Sequence, residues 1–192
     1  MKENPLYFSV MFRLIESRMR NNISIGPVLI KSSVKKEIIV RTNEIPVMID
    51  NIFDVGHGGG SFAFSQAIPA INQGLKPNTI STDLHTGSMN GGMKDLLNVM
   101  SKFLNMGLNL NEVITSVTWD AAKSIKKENL GNLSVGSIAD ITILNLREGD
   151  FGFIDTKNKK MNGTKKLECE LTIKDGKIVY DLNGLASLKW DE

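Results

Sequence analysis

Histidine and cysteine are scarce in this 192-residue sequence, which holds two of the first, His57 and His85, and one of the second, Cys169. A single cysteine excludes an internal disulfide and suits a reducing compartment. It stands within an apolar strand pattern, as buried filler rather than as a nucleophile. No sign of charge dominates: 23 basic residues face 21 acidic ones, a net +2, which gives no electrostatic case for a nucleic-acid partner. The one basic cluster, Lys157, Lys159, Lys160, Lys165 and Lys166, lacks interleaved aromatics and reads as a solvated loop rather than a phosphate-binding patch. Long hydrophobic runs are missing too, with no window approaching the roughly 20 apolar residues of a membrane span. The apolar start at Pro5-Leu6-Tyr7-Phe8 has no basic leader or small-residue cleavage site, and Arg13 interrupts it, against a signal peptide. The expectation is a soluble, cytoplasmic protein with a core of ordinary size.

What is present concentrates in residues 52–88. Two apolar runs break abruptly into polar and Gly residues, Phe53-Asp54-Val55-Gly56-His57-Gly58-Gly59-Gly60 and Thr79-Ile80-Ser81-Thr82-Asp83-Leu84-His85. Such runs read as buried parallel strands that deliver side chains to their C-terminal mouth. Between them, residues 61–74 carry Phe62, Phe64, Ala67, Ile68 and Ile71 at near-helical spacing, closed by Gly74. Strand, helix, strand is a βαβ unit, and ligands sit at the carboxyl ends of its strands. Both histidines fall at those two ends, with Asp83 beside one of them.

Elsewhere the pattern predicts a strand over 6–15 and a helix over 26–44, with Pro27 at its first position and Ile30, Val34 and Ile38 on one face. A short strand follows at 46–49. After Asp83, residues 86–92 form a Gly-rich loop. A helix over 93–106 stops at Gly107, and Asn109 with Glu112 makes a capping box for a second one running to Ile125. The methionines there are core filler. From Leu130 the chain turns to strands at 139–144, 167–173 and 178–180, the last two joined by the hairpin signal Lys174-Asp175-Gly176-Lys177.

Asp83 in a Gly-rich mouth can be a metal ligand, a general base, or both, and His57 could donate to a substrate carbonyl or carboxylate. The plainer alternatives are an aspartate that caps a turn and a histidine bonded to backbone. The glycines 58–60 could cradle a phosphate, but no Gly-Lys-Ser/Thr follows them, against a nucleotide loop.

The two strand-end motifs, together with Met100-Ser101-Lys102-Phe103-Leu104, Leu130-Gly131-x-Leu133-x-x-Gly136-x-x-Ala139-Asp140 and Phe151-Gly152-Phe153-Ile154-Asp155, resemble the amidohydrolase superfamily. The match is to its dihydroorotase-like amidohydrolase/deacetylase metallohydrolases. It runs in order from residue 52 to the C-terminus, with Cys169-Glu170-Leu171-Thr172 and Tyr180-Asp181-Leu182-Asn183-Gly184 near its end. The resemblance implies an α/β fold: the last strands and helices of a (β/α)8 TIM barrel, followed by a small β-sandwich-type C-terminal segment. Residues 1–51 would be a remnant of earlier barrel strands and a helix, 52–129 the last two βα units, and 130–192 the small β domain.

It further implies hydrolysis of amide or ester bonds in a small-molecule substrate through a metal-activated water, with divalent metal, usually zinc, as cofactor. A homo-oligomer is compatible with it. Asp83 would be the metal ligand and catalytic base, and His57 with Gly58 the substrate contact. The family's remaining ligands are histidines on earlier strands and a carboxylated lysine. By the same resemblance Leu14-Ile15-Glu16-Ser17-Arg18-Met19 and Pro46-Val47-Met48-Ile49-Asp50 would put Glu16 at the lysine position and Asp50 at a histidine position, and the sixth strand would be missing between Asp50 and Phe53. Three carboxylates suit a hard cation rather than an imidazole-rich zinc site. A closed barrel needs about 250 residues. The alternative reading is therefore a truncated, internally deleted and inactive relative.

Overall fold

In a computed structural model, the protein is described over residues 52–191, together with the backbone of three short strands nearer the N-terminus. These are β1 (Leu6–Ser9), β2 (Asn22–Ile25) and β3 (Val28–Ser32). β4 (Phe53–Gly56) leads into α1 (Phe64–Asn72), which returns the chain to β5 (Thr79–Ser81). β4 and β5 pair in parallel, Asp54 opposite Thr79 and Gly56 opposite Ser81, as the βαβ reading expects. Gly74 takes a φ of +92° just beyond α1, the left-handed conformation that glycine adopts at least cost.

The expected helix over 26–44 is corrected at its start. Val28–Ser32 is a strand, antiparallel to β2 on one side and to β4 on the other. The apolar spacing of Ile30, Val34 and Ile38 suits a helix, but β-branched residues prefer the pleat once a partner strand is available. The rest of that expected helix and the expected strand at 46–49 lie outside the described residues, as do Glu16 and Asp50. The sheet β2-β3-β4-β5 is thus mixed, and the described strands close no barrel.

Three helices follow: α2 (Leu96–Asn105), α3 (Leu110–Val117) and α4 (Trp119–Ser124). Asp95 caps α2 by accepting from the Asn98 amide at 2.7 Å. The capping box at α3 is present in both directions, Asn109 Oδ1 and Glu112 Oε2 each accepting at 2.9 Å from the other residue's amide. The single helix expected from Asn109 to Ile125 breaks at Thr118, whose φ and ψ are −119° and −90°. The hydroxyls of Ser116 and Thr118 donate back to the carbonyls of Val113 and Ile114, a local competition that ends regular helix. None of the described helices is long and apolar enough to cross a membrane.

The C-terminal strands are longer than their apolar pattern suggests. β6 (Ile141–Ile154) and β7 (Lys160–Lys174) form a long hairpin, bulged near Leu144 and Phe151, and β8 (Lys177–Asp181) adds a third strand. The tight turn at Asp175-Gly176 has φ of +50° and +75°, as a type I′ connection requires. β1 pairs with β6, so this sheet runs β1-β6-β7-β8 and is antiparallel throughout. In place of a sandwich of two sheets, the described residues show this one sheet packed on α2. The Leu167 amide donates to Ser101 Oγ at 2.9 Å, and Asn105 Oδ1 accepts from the Thr164 and Lys165 amides. Val55, Phe62, Ile80, Met93, Val99 and Phe103 share one buried cluster with Leu144, Phe153 and Leu167.

Candidate functional site

A strand points successive side chains to opposite faces, so β4 and β5 build two different surfaces at the same end. On one face Asp54 accepts hydrogen bonds from Thr79 Oγ1 and Ser81 Oγ, both at 2.7 Å. Two residues past Ser81, Asp83 continues this face, half-exposed, with a backbone φ of +50°. Aspartate is one of the few residues that tolerate this region, and an outlier there is worth a functional question. Room for its side chain comes from the glycines of β4 and the turn after it. A Cβ on Gly56 would lie 2.8 Å from Asp83 Cβ, and one on Gly58 would lie 3.0 Å from Asp83 Oδ2. Gly58 is itself left-handed, and its amide donates to the Thr82 carbonyl at 2.8 Å. The Gly-x-Gly spacing therefore makes the seat of the aspartate.

His57 goes the other way. Its ring has no exposed surface and stacks on Phe62 with centroids 4.8 Å apart. Nδ1 lies 3.0 Å from the Gly58 carbonyl, and Nε2 lies 2.8 Å from Lys102 Nζ. Lys102, equally without exposed surface, also donates to the carbonyls of Gly92 and Ile154 at 2.7 and 2.8 Å. Burial, and then the neighbouring Lys102 charge, lower the His57 pKa to about 4. Burial lowers that of Lys102 to about 7 against the pull of Asp155. Burial pushes the Asp155 carboxyl up, but the backbone amides of Lys159, Phe64 and Lys157 outweigh it and hold the group below the usual carboxylate range.

The structure thus brings Asp83 and Gly58 into contact and places His57 directly behind them, facing the core. His85 stays apart on the exposed loop, where its Nδ1 accepts from the Gly87 amide at 3.1 Å and its backbone closes a turn with Ser88. No group of three His, Cys, Asp or Glu that could hold a metal ion occurs among the described residues. Sequence reasoning assigned no role to Lys102 or Asp155. A signal for the lysine existed: it follows Val99 by three residues and precedes Phe103, on the buried stripe of an amphipathic helix.

The sequence model of the amidohydrolase family matches residues 63–179, a stretch that includes Asp83 and Lys102. A deacetylase of Brucella anthropi is 46% identical over 103 residues, which are 54% of this chain and 26% of that protein. A deacetylase of Agrobacterium fabrum is 40% identical over 114 residues, 59% of this chain and 28% of that protein. Among solved structures, one of an adenine deaminase superposes with a TM-score of 0.65 at 32% identity, over 68% of this chain and 36% of the other. One of a dihydroorotase superposes with a TM-score of 0.62 at 34% identity, over 67% and 35%. The chain therefore spans roughly a quarter to a third of the length of these proteins.

Proposed function

Because the chain belongs to the amidohydrolase family, we propose that it supplies the closing part of a deacetylase- or dihydroorotase-like hydrolase of amide or ester bonds, with Asp83 as its working carboxylate. The observation that carries this reading is the seat of Asp83, a left-handed aspartate at a strand end resting on two glycines that no larger residue could replace without displacing it. Its part in the reaction is the proton: a carboxylate at that mouth can take the proton of the attacking water and return it to the leaving group. Gly58 shapes the mouth, and His57 supports the wall from behind.

The family implies a divalent metal. The residues described do not fit one: Asp83 stands without a matching donor set, His57 has both ring nitrogens facing Lys102 or backbone, and His85 lies on a separate loop. The whole sequence holds only two histidines and one cysteine, and this donor chemistry favours a second reading in which the chain alone turns over no substrate.

A graft distinguishes the two. The matched 103-residue segment of the Brucella anthropi deacetylase is replaced by its counterpart from this chain, and acetate release is followed. The first reading expects turnover, with Asp83→Asn lowering kcat by about 10²- to 10⁴-fold. A folded graft that releases no acetate, or one indifferent to Asp83→Asn, overturns it. Acetate release by the unmodified chain alone would overturn the second.

A further inference from the structure

Three segments far apart in sequence meet at one nitrogen. Lys102 Nζ on α2 lies 2.8 Å from His57 Nε2, 2.7 Å from the Gly92 carbonyl and 2.8 Å from the Ile154 carbonyl. An ammonium has three N–H donors and no acceptor, so three acceptors saturate it. Gly92 is glycine because a Cβ there would stand 2.4 Å from the Ile154 carbonyl oxygen; the loop must come this close for both carbonyls to reach the lysine.

Saturation of the ammonium dictates the state of the imidazole. Nε2 has to present its lone pair, so a neutral His57 carries its proton on Nδ1, where the Gly58 carbonyl accepts it at 3.0 Å. Gly58 is the residue whose amide is tied to Thr82 and whose Cα faces Asp83 Oδ2. We propose that Lys102 is a positioning residue: its ammonium holds His57 in the Nδ1–H form and thereby fixes the Gly58 peptide on which the Asp83 carboxylate rests.

Removing one proton reverses the arrangement. A neutral amine keeps two N–H bonds, enough for the two carbonyls, and gains one lone pair. That lone pair is satisfied when His57 carries its hydrogen on Nε2 and donates to the amine. The Lys102 proton goes to solvent, and the ring hydrogen exchanges from Nδ1 to Nε2 with no net change on the histidine. Nδ1 then turns a lone pair toward the Gly58 carbonyl, and that hydrogen bond is lost. The charged groups acting on this pair are Asp155 and Asp95, which favour the ammonium, and Lys94, which opposes it. Asp155 also favours a charged His57, against burial. Burial brings the lysine pKa down to about 7, which sets the exchange within reach of ordinary buffers.

The role assigned to Asp83 rests on the function proposed above. The tautomer of His57 needs no activity to be read, so failure of the graft and failure of this inference are separate results. The test is a long-range ¹H–¹⁵N correlation spectrum of the unmodified chain labelled with ¹⁵N at histidine and glycine, with the Gly58 amide followed in parallel, from about pH 5.5 to about pH 10. Only His57 and His85 contribute ring signals. The expected result is an Nδ1–H majority for His57 at the low end that inverts to Nε2–H as pH rises, with the Gly58 amide shifting over the same range. Lys102→Met, where folded, should abolish that pH-dependent inversion. An Nε2–H majority at the low end, a tautomer unchanged up to about pH 10, or a Gly58 amide that ignores the inversion each overturns the proposal. A purely structural lysine would tie the loop to the hairpin without any of these signatures.

Discussion

The two faces of the β4–β5 pair differ in almost every physical respect although they share seven residues of strand. One presents Asp54, Thr79, Ser81 and Asp83, all but Thr79 partly open to solvent, with the Thr79 and Ser81 hydroxyls donating to the Asp54 carboxylate. The other buries Val55, Ile80 and His57 in the core against Phe62 and Lys102. Stability is drawn from the second, where apolar area leaves water and polar groups survive only by being fully partnered. The first is free to hold chemistry because little depends on it for folding. An ionisable group on either face means something different: Asp83 is half-exposed to solvent, while His57 is locked by its neighbours.

Breaking the buried face should have the largest effect. Phe62 has no exposed surface and touches His57, Phe64 and Phe103 through ring centroids 4.8, 5.7 and 5.8 Å apart. Phe62→Ala should cost about 3–5 kcal/mol in urea unfolding, and a loss below about 1.5 kcal/mol would mean that the ring stack carries little. Next comes the acid response of the same face. His57 stays neutral in the folded state down to about pH 4, whereas the ordinary value is 6.5. Between these values the unfolded chain binds the additional proton, so the His57 contribution is constant above about pH 6.5 and stability falls as pH drops toward 4, by on the order of 3 kcal/mol. The slope should flatten in His57→Gln, measured by chemical denaturation at a series of pH values; an unchanged slope would place the titration elsewhere. The open face should respond least. Ser81→Ala removes one of the two hydroxyl donors to Asp54 and should cost only about 1 kcal/mol, a figure to be read from the same unfolding experiment and contradicted by any loss rivalling that of Phe62→Ala.

Much of the local structure was legible because its causes are local. The capping box of Asn109 and Glu112, the left-handed Gly74 and the Asp175-Gly176 turn each follow from residues within a few positions of one another. The βαβ unit was legible through its apolar runs, and the family through motifs that keep their order. Other features answer to distant partners. Val28–Ser32 is a strand because β2 and β4 flank it. The outer half of the β6–β7 hairpin, polar in sequence, is held by partners such as Glu168, which pairs with Arg147 at 2.9 Å, and by Asn105 reaching across some 60 residues of chain. At the candidate site, Asp83 and Gly58 stand out in the strand-end pattern and the burial of Lys102 is hinted at by its place on α2, but the lysine's partners are not legible, since nothing within α2 says which acceptors will meet its ammonium.

By itself the sequence determined which residues stand at the strand ends, because period-two alternation and Gly-rich breaks are written in adjacent positions. It determined the helix caps and tight turns for the same reason. Only the tertiary structure decided that Asp83 and His57 look in opposite directions and that the histidine's partner is a lysine 45 residues away. The pleat sets each side chain's direction, and the packing of α2 against the sheet sets what it finds there.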